Sequence, residues 1–336
     1  MTDWLIGMND WGIQVIIAVQ TMRSALLDQI FLIVTFLHSD IVYIALFPLL
    51  YWAVDKKIAI RLAYVFFLGY YYLNNVLKDF FQTPRPDSSQ VAVLYEETSF
   101  AFPSGHAQGA TIFWGYLAMQ LRRTWFWVLT VVLIAAICFS RIYLGVHYPA
   151  DVIGGILIGV AVLVLALWLV PAIERVVIRW PWLQQMALGT IVPLILFVLF
   201  PTDDGARAAG ILFGVGIALP LEAQTLRFST GGTTGQRVAR YVVGLIVLLA
   251  FYLIPGAVLP DAVIWRFLRY ALVGFVMVWL APWLLIKLRL MQPGGPHEPQ
   301  TGCPRGRGDR RDDGGGVCSD TPGADSDADP GFCAPG

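Results

Sequence analysis

Residues 140–170 read SRIYLGVHYPADVIGGILIGVAVLVLALWLV. From Val152 to Val170 no side chain is charged. A helix needs about 20 largely apolar residues to cross the hydrocarbon core of a bilayer, so this stretch predicts a membrane-spanning helix over residues 148–170. Its leading part raises the question of function. An arginine, a histidine and an aspartate are packed into the twelve residues from Ser140 to Asp151, at the mouth of a segment where charge is costly.

The rest of the chain follows the same rule. Of 336 residues, 57% are hydrophobic and only 14% are charged, against about 25% charged in a soluble domain. Apolar segments at 40–54, 58–77, 104–121, 124–141, 148–170, 183–200, 206–223, 237–258 and 263–287 predict an all-α polytopic bundle of about nine spans. The stretch from 11 to 37 is interrupted by Arg23 and Asp28, each costing about 2.5–3.5 kcal/mol at mid-bilayer, and predicts interfacial helices within residues 1–39. Five spans over 40–175 and four over 176–290 form the expected halves. Residues 291–336, rich in Gly, Pro and Asp, bury too little apolar surface to offset their ordering entropy and are expected to be a disordered tail.

Charge sets the orientation and narrows the partners. With the N-terminus outside, twelve lysines and arginines fall on the cytoplasmic side and seven on the other, a positive-inside bias that places the C-terminus inside. The expected location is the plasma (inner) membrane. The 23 basic and 23 acidic residues cancel, leaving no electrostatic footprint for a nucleic acid. Cys138 is in an apolar segment, and Cys303, Cys318 and Cys333 are scattered in the tail without a Cys-x-x-Cys pair, so neither zinc nor a disulfide framework is expected. The opening MTDWLIGMND lacks the basic n-region of a signal peptide, so the mature chain is expected to start at residue 1 or 2. Gly155 with Gly159, and Gly210 with Gly214, permit close helix approach; packing within one chain is the first reading and a homodimer the second.

Three polar clusters fall at outer ends of the expected spans. KDFFQTPRP holds Lys78 and Arg85; two interfacial anchors would explain them, except that cations on that side oppose the positive-inside preference. PSGH, residues 103–106, opens the third span. A proline followed by small residues at a helix start exposes backbone N–H groups to an anion and sets His106 beside it, although a tetrapeptide is weak evidence alone. The third cluster joins Ser140, Arg141, His147 and Asp151. One helical turn separates His147 from Asp151, so the carboxylate can accept from one ring nitrogen and leave the other as a nucleophile. Interfacial ion contacts are the plainer reading. The chain has four histidines; His38 reads as structural and His297 belongs to the tail.

Convergence of the three clusters would make a phosphoryl site. Arginine forks match phosphate oxygens better than point charges. Fixed cations take the role that metal ions play in kinases, so neither a metal nor a cofactor is expected. One histidine would attack phosphorus while another protonates the departing oxygen, giving hydrolysis in two steps.

Lys78 to Pro86 as K-x6-R-P, Pro103 to His106 as P-S-G-H, and Ser140 to Asp151 as S-R-x5-H-x3-D together resemble the signature of the type 2 phosphatidic acid phosphatase superfamily, over a core of about residues 40–170. The resemblance implies a lipid phosphate phosphatase with His147 as the nucleophile forming phosphohistidine, Asp151 orienting it and His106 as general acid. It implies that Lys78, Arg85, Ser104, Gly105 and Arg141 hold the phosphate. NDWGIQ, FPLLYW and the nine expected spans are similar, more loosely, to the glucose-6-phosphatase branch, but Asp151 pulls toward the lipid enzymes.

The expected substrate is therefore a lipid phosphate or polyprenyl pyrophosphate, held in the bilayer and hydrolysed on the extracytoplasmic face. A sugar-phosphate phosphatase is the alternative, with residues 87–102 (DSSQVAVLYEETSFAF) as its lid. A vanadium haloperoxidase is disfavoured by the multispan burial. A lipid transporter or binding protein is disfavoured because the charges gather at one face.

Overall fold

The computed structural model describes residues 2–294, with side chains from Asp10 onward. The expected disordered tail lies outside the described residues from 295 on, as do His297 and the three tail cysteines. Thirteen α-helices run in chain order: α1 (Thr2–Gln20), α2 (Ala25–Phe36), α3 (Asp40–Leu49), α4 (Lys56–Phe66), α5 (Leu73–Phe81), α6 (Gly105–Leu121), α7 (Thr124–Tyr143), α8 (Pro149–Val177), α9 (Trp182–Leu199), α10 (Asp203–Thr225), α11 (Thr234–Val258), α12 (Val263–Phe275) and α13 (Ala281–Lys287). Wider π turns at Leu50–Val54, Phe67–Tyr72 and Val276–Leu280 extend α3, join α4 to α5, and join α12 to α13. An isolated antiparallel bridge, Phe228 to Pro293, is the one β contact among the described residues.

Six helices are long and apolar enough to cross a membrane: α7, α8, α9, α10, α11 and the combined α12–α13 run. A seventh is reached if α2 and the Asp40–Val54 run, bent by 47°, form one span. The expected segments at 40–54, 58–77 and 104–121 appear as helices, but shorter, bent or more polar than that criterion. The reason is position. Outer helices such as α8 and α9 present Trp168 (77% exposed) and Val198 (74% exposed), which only lipid can cover comfortably. In contrast α6 is enclosed by protein along most of its length, so its sequence answers to close packing and to Gln108, whose side chain donates to the Gly69 carbonyl at 2.6 Å.

Glycines set the helix spacings. A Cβ on Gly155 would stand 2.5 Å from the Ser104 carbonyl, and one on Gly159 would stand 2.8 Å from the Thr111 Cβ, so α8 presses directly on α6. Cβ atoms on Gly210 and Gly214 would meet the Phe267 and Ala271 carbonyls at 2.4 and 2.0 Å, fixing α10 on α12. Both G-x-x-x-G faces are thus filled within one chain, as the first reading expected.

The interrupted N-terminal stretch forms α1 and α2. Its charges are paired at the break, Arg23 to Asp28 at 3.0 Å, and Asp28 also accepts from the Tyr143 hydroxyl at 2.6 Å. The halves of the bundle interlock through a shared apolar core in which Tyr43, Phe47, Phe66 and Phe113 cluster with Leu212, Val273 and Met277, through Trp52 Nε1 donating to the Met277 carbonyl at 2.9 Å, and through the buried Arg240, which donates to the Trp52 carbonyl at 2.8 Å.

Candidate active site

Lys78, Arg85, Gly105, His106 and His147, drawn from all three sequence clusters, line one polar cavity of about 90 Å³. Its position follows from how α5 and α7 end. Gln82 takes a left-handed conformation, φ 48°, and stops α5 just after Lys78. The chain leaves as a loop closed at its base by Thr83, whose carbonyl accepts from Ala101 N at 2.9 Å and whose hydroxyl accepts from Phe102 N at 2.8 Å. At the end of α7, Gly145 turns with φ +71°, and a Cβ there would stand 2.4 Å from the Ala92 carbonyl. The 87–102 loop and the His147 link therefore brace each other, helped by Leu94 N donating to Leu144 O at 3.0 Å.

His147 stands between two fixed partners. Its Nδ1 lies 3.3 Å from Asp151 Oδ2, and Tyr148 N donates to the same oxygen at 2.8 Å. Asp151 thus reaches back as the third residue of α8, behind Pro149, to satisfy an N-terminal N–H. On the other side Nε2 lies 3.1 Å from Arg85 Nη1. A guanidinium only donates, so Nε2 accepts, and the proton belongs on Nδ1, facing the carboxylate. Burial pushes the His147 pKa well below its usual value, and the charges of Arg85, Arg141 and Lys78 push it the same way. The result is a neutral imidazole with its lone pair on Nε2.

The cations are held by neutral acceptors and one carboxylate. Arg85 donates to Val146 O at 2.7 Å, Ser99 O at 2.6 Å and Ser99 Oγ at 3.1 Å. Burial lowers the Arg85 pKa, with the Glu97 charge opposing, and the guanidinium remains cationic at any working pH. Lys78 Nζ donates to the same Ser99 hydroxyl at 2.7 Å. Arg141, 0% exposed, stands behind the cavity wall; it donates to Thr35 Oγ1 at 2.6 Å and pairs with Glu97. Glu97 also lies 3.7 Å from Arg85, so one carboxylate spans both arginines.

The remaining expected residues divide. Ser104 N donates to the Asp151 carbonyl at 3.0 Å, which removes that N–H from anion binding, while its buried hydroxyl has no partner among the described residues. Ser140 donates to Ile137 O at 2.7 Å inside α7 and is structural. Sequence reasoning missed three groups. Glu97 sat unnoticed within the expected lid. Asp204, also lining the cavity, belongs to the half without a motif. His38, read as structural, lies ring against ring with His106 at 4.7 Å and holds Tyr43 Oη at 2.5 Å; a Cβ on Gly109 would occupy its space. None carries a local pattern that marks it.

Fold and site define an all-helical integral membrane protein with a cation-lined polar cavity that His106 and His147 both line. Two families match the chain: "PAP2 superfamily" over residues 58–175 and "PAP2 superfamily phosphatase, transmembrane extension" over residues 206–293. Together they span more than half of it, and the chain belongs to the PAP2 superfamily of phosphatases. It is similar to sphingosine-1-phosphate phosphatase 1 of Rattus norvegicus, 26% identical over 74% of this chain and 70% of the relative. It is also similar to lipid phosphate phosphatase delta of Arabidopsis thaliana, 29% identical over 50% of this chain; there the match spans less than half of the relative, 44%. Among solved structures it resembles a transmembrane PAP2-type phosphatidylglycerolphosphate phosphatase from Bacillus subtilis, with 24% identity, a TM-score of 0.43, and coverage of 50% of this chain and 88% of that one.

Proposed function

We propose that the protein is a metal-independent phosphatase of lipid phosphate monoesters or polyprenyl pyrophosphates that works through a phosphohistidine. The observation that carries the reading is His147, neutral and held between Asp151 and Arg85 with its Nε2 lone pair at the cation-lined cavity. The core at 40–175 supplies this machinery, and the segments at 176–290 complete a nine-span bundle. The site opens on the extracytoplasmic face of the plasma membrane.

The reaction proceeds in two steps. Nε2 attacks phosphorus, the bond from phosphorus to the lipid oxygen breaks, and His106, which enters the step as an imidazolium once the anionic phosphoryl group occupies the cavity, gives that oxygen its proton and becomes neutral. The Nδ1–H remains hydrogen-bonded to Asp151, whose charge stabilises the imidazole as it becomes cationic. His106 then takes a proton from water, the resulting hydroxide attacks phosphorus, the P–N bond breaks, and inorganic phosphate leaves. Lys78, Arg85 and Arg141 offset the charge on the non-bridging oxygens in both steps. The named activities of the relatives, on sphingosine phosphate and on lipid phosphate, support a lipid substrate, and a site at the end of the spans suits a headgroup whose chains stay in the bilayer.

The test is phosphate release by the purified protein from phosphatidic acid, sphingosine 1-phosphate, undecaprenyl pyrophosphate and glucose 6-phosphate, with His147→Ala as control. Expected are lipid hydrolysis, an acid-labile phosphoenzyme in single turnovers, and loss of both in the variant. Full lipid hydrolysis by His147→Ala overturns the mechanism; a preference for glucose 6-phosphate overturns the substrate class.

A further inference from the structure

Asp204 closes one side of the cavity that contains Lys78, Arg85, His106 and His147, yet it belongs to α10, outside the half that carries the motifs. We propose that Asp204, beside Asn75, forms a subsite for an ammonium group carried by the substrate a few bonds from its phosphate ester. The proposal rests on the lipid-phosphatase reading and narrows it to amine-bearing lipid phosphates.

The placement of Asp204 is built rather than incidental. Phe200 packs edge-on against Tyr72, ring centroids 5.0 Å apart, and the Tyr72 hydroxyl donates to the Leu196 carbonyl at 2.8 Å. These contacts tie the α9–α10 junction to the run that leads into Lys78. Thr202 then caps α10, accepting from Gly205 N at 3.1 Å, and Asp204 follows at the cavity. Asn75 reaches the same cavity from α5, anchored by its Nδ2 donating to the Tyr71 carbonyl at 2.6 Å.

Charge counting gives the subsite its sign. Arg207 bridges Asp40 at 3.1 Å and Asp204 at 3.2 Å, and Asp40 also accepts from the Tyr71 hydroxyl. One guanidinium shared between two carboxylates leaves Asp204 incompletely neutralised by Arg207, and Lys78, the other cation on that side of the cavity, is the one the phosphate claims. Asp204 keeps 41% of its side chain accessible, so it has room to meet a ligand. An acidic residue in the first turn ordinarily complements the helix dipole, but the neighbouring Asp203 already serves there, pointing instead at Arg266 at 2.5 Å.

A carboxylate on the wall of a phosphate cavity repels a phosphate alone. It becomes favourable when the same ligand presents a cation, because the phosphate can then rest on Lys78, Arg85 and the histidines while its ammonium meets Asp204. The arrangement attracts an aminolipid phosphate and penalises one without the amine, the two routes by which a site discriminates.

The experiment compares kcat/KM of the full chain in detergent for sphingosine 1-phosphate, which carries a free ammonium, and for ceramide 1-phosphate, in which acylation removes that charge. The wild type is expected to favour the first. Asp204→Asn is expected to lower this preference about tenfold or more, the scale of a lost charge-assisted contact, chiefly through KM, and Asp204→Glu to restore most of it. Asn75→Ala, which leaves the Arg207 pair intact, is expected to lower the preference in the same direction and serves if Asp204→Asn does not fold. A wild type without the preference, or folded variants in which it is unchanged, overturns the subsite. Failure on every lipid phosphate with hydrolysis of glucose 6-phosphate overturns the underlying functional reading instead.

Discussion

Glu97→Gln probes the cation pair most directly. Arg141 is 0% exposed and Glu97 is its carboxylate partner, with the Thr35 hydroxyl accepting from the other side of the guanidinium. Removing one partner of a buried pair costs about 3–5 kcal/mol. Glutamine keeps an acceptor oxygen, and the carboxylate is 21% exposed, so the expected loss is about 2 kcal/mol in phosphate-free buffer. Added phosphate acts in the opposite direction. On the proposed function, phosphate in the wild type competes with the Glu97 carboxylate for Arg85, with Arg141 acting from behind the wall; in the variant it meets an uncontested Arg85. A tenfold tighter Kd would add about 1.4 kcal/mol of stabilisation at saturating ligand. The assay is thermal unfolding of the purified protein in detergent across a phosphate titration, together with the inhibition constant for phosphate. The variant should melt lower without phosphate, rise further with it, and be inhibited at lower phosphate. An unchanged midpoint in phosphate-free buffer with an unchanged inhibition constant would refute the reasoning.

Asp151→Asn keeps the acceptor for Tyr148 N but removes the charge facing His147 Nδ1; kcat should fall about 10- to 100-fold, as for loss of a residue that orients another, while the midpoint moves little. His147 also links stability to pH. Its native pKa is depressed, so below about 6.5 the unfolded chain binds a proton that the native state refuses. This share of the stability should therefore fall as pH drops from 7 to 5, and its loss in His147→Gln should show as a changed slope against the wild type in pH-resolved melting curves. Gly155→Ala places a methyl 2.5 Å from the Ser104 carbonyl; it should push α8 from α6, lower the midpoint and reduce kcat, whereas Ala substituted at the open Gly235 should do neither.

Much of the bundle was legible because lipid imposes a simple rule on the helices that face it. Val152 to Val170 could scarcely be anything but a span, and α8 covers it. The rule weakens where protein replaces lipid as the solvent: α6 and the α4–α5 run are enclosed, carry Gln108, Asn74 and π turns, and their lengths do not follow from hydropathy. The constellation was legible for a different reason. Lys78, Arg85, His106, Arg141, His147 and Asp151 are chemically conspicuous in a chain poor in charge, and the four-residue step from His147 to Asp151 is a helical turn whose geometry is local.

What the sequence determined by itself is therefore the membrane class, the principal helices, and the conspicuous residues to which the proposed function gives phosphoryl binding and attack. The tertiary structure decided which groups share the cavity. It set Arg141 behind Glu97, engaged the Ser104 N–H with the Asp151 carbonyl, laid His38 against His106, and brought Asp204 from α10 to face Lys78. Those relations join residues up to more than a hundred positions apart. They depend on helix contacts set by Gly155, Gly210 and Gly214 and on a loop closed at Thr83, and no periodicity or spacing along one segment encodes them.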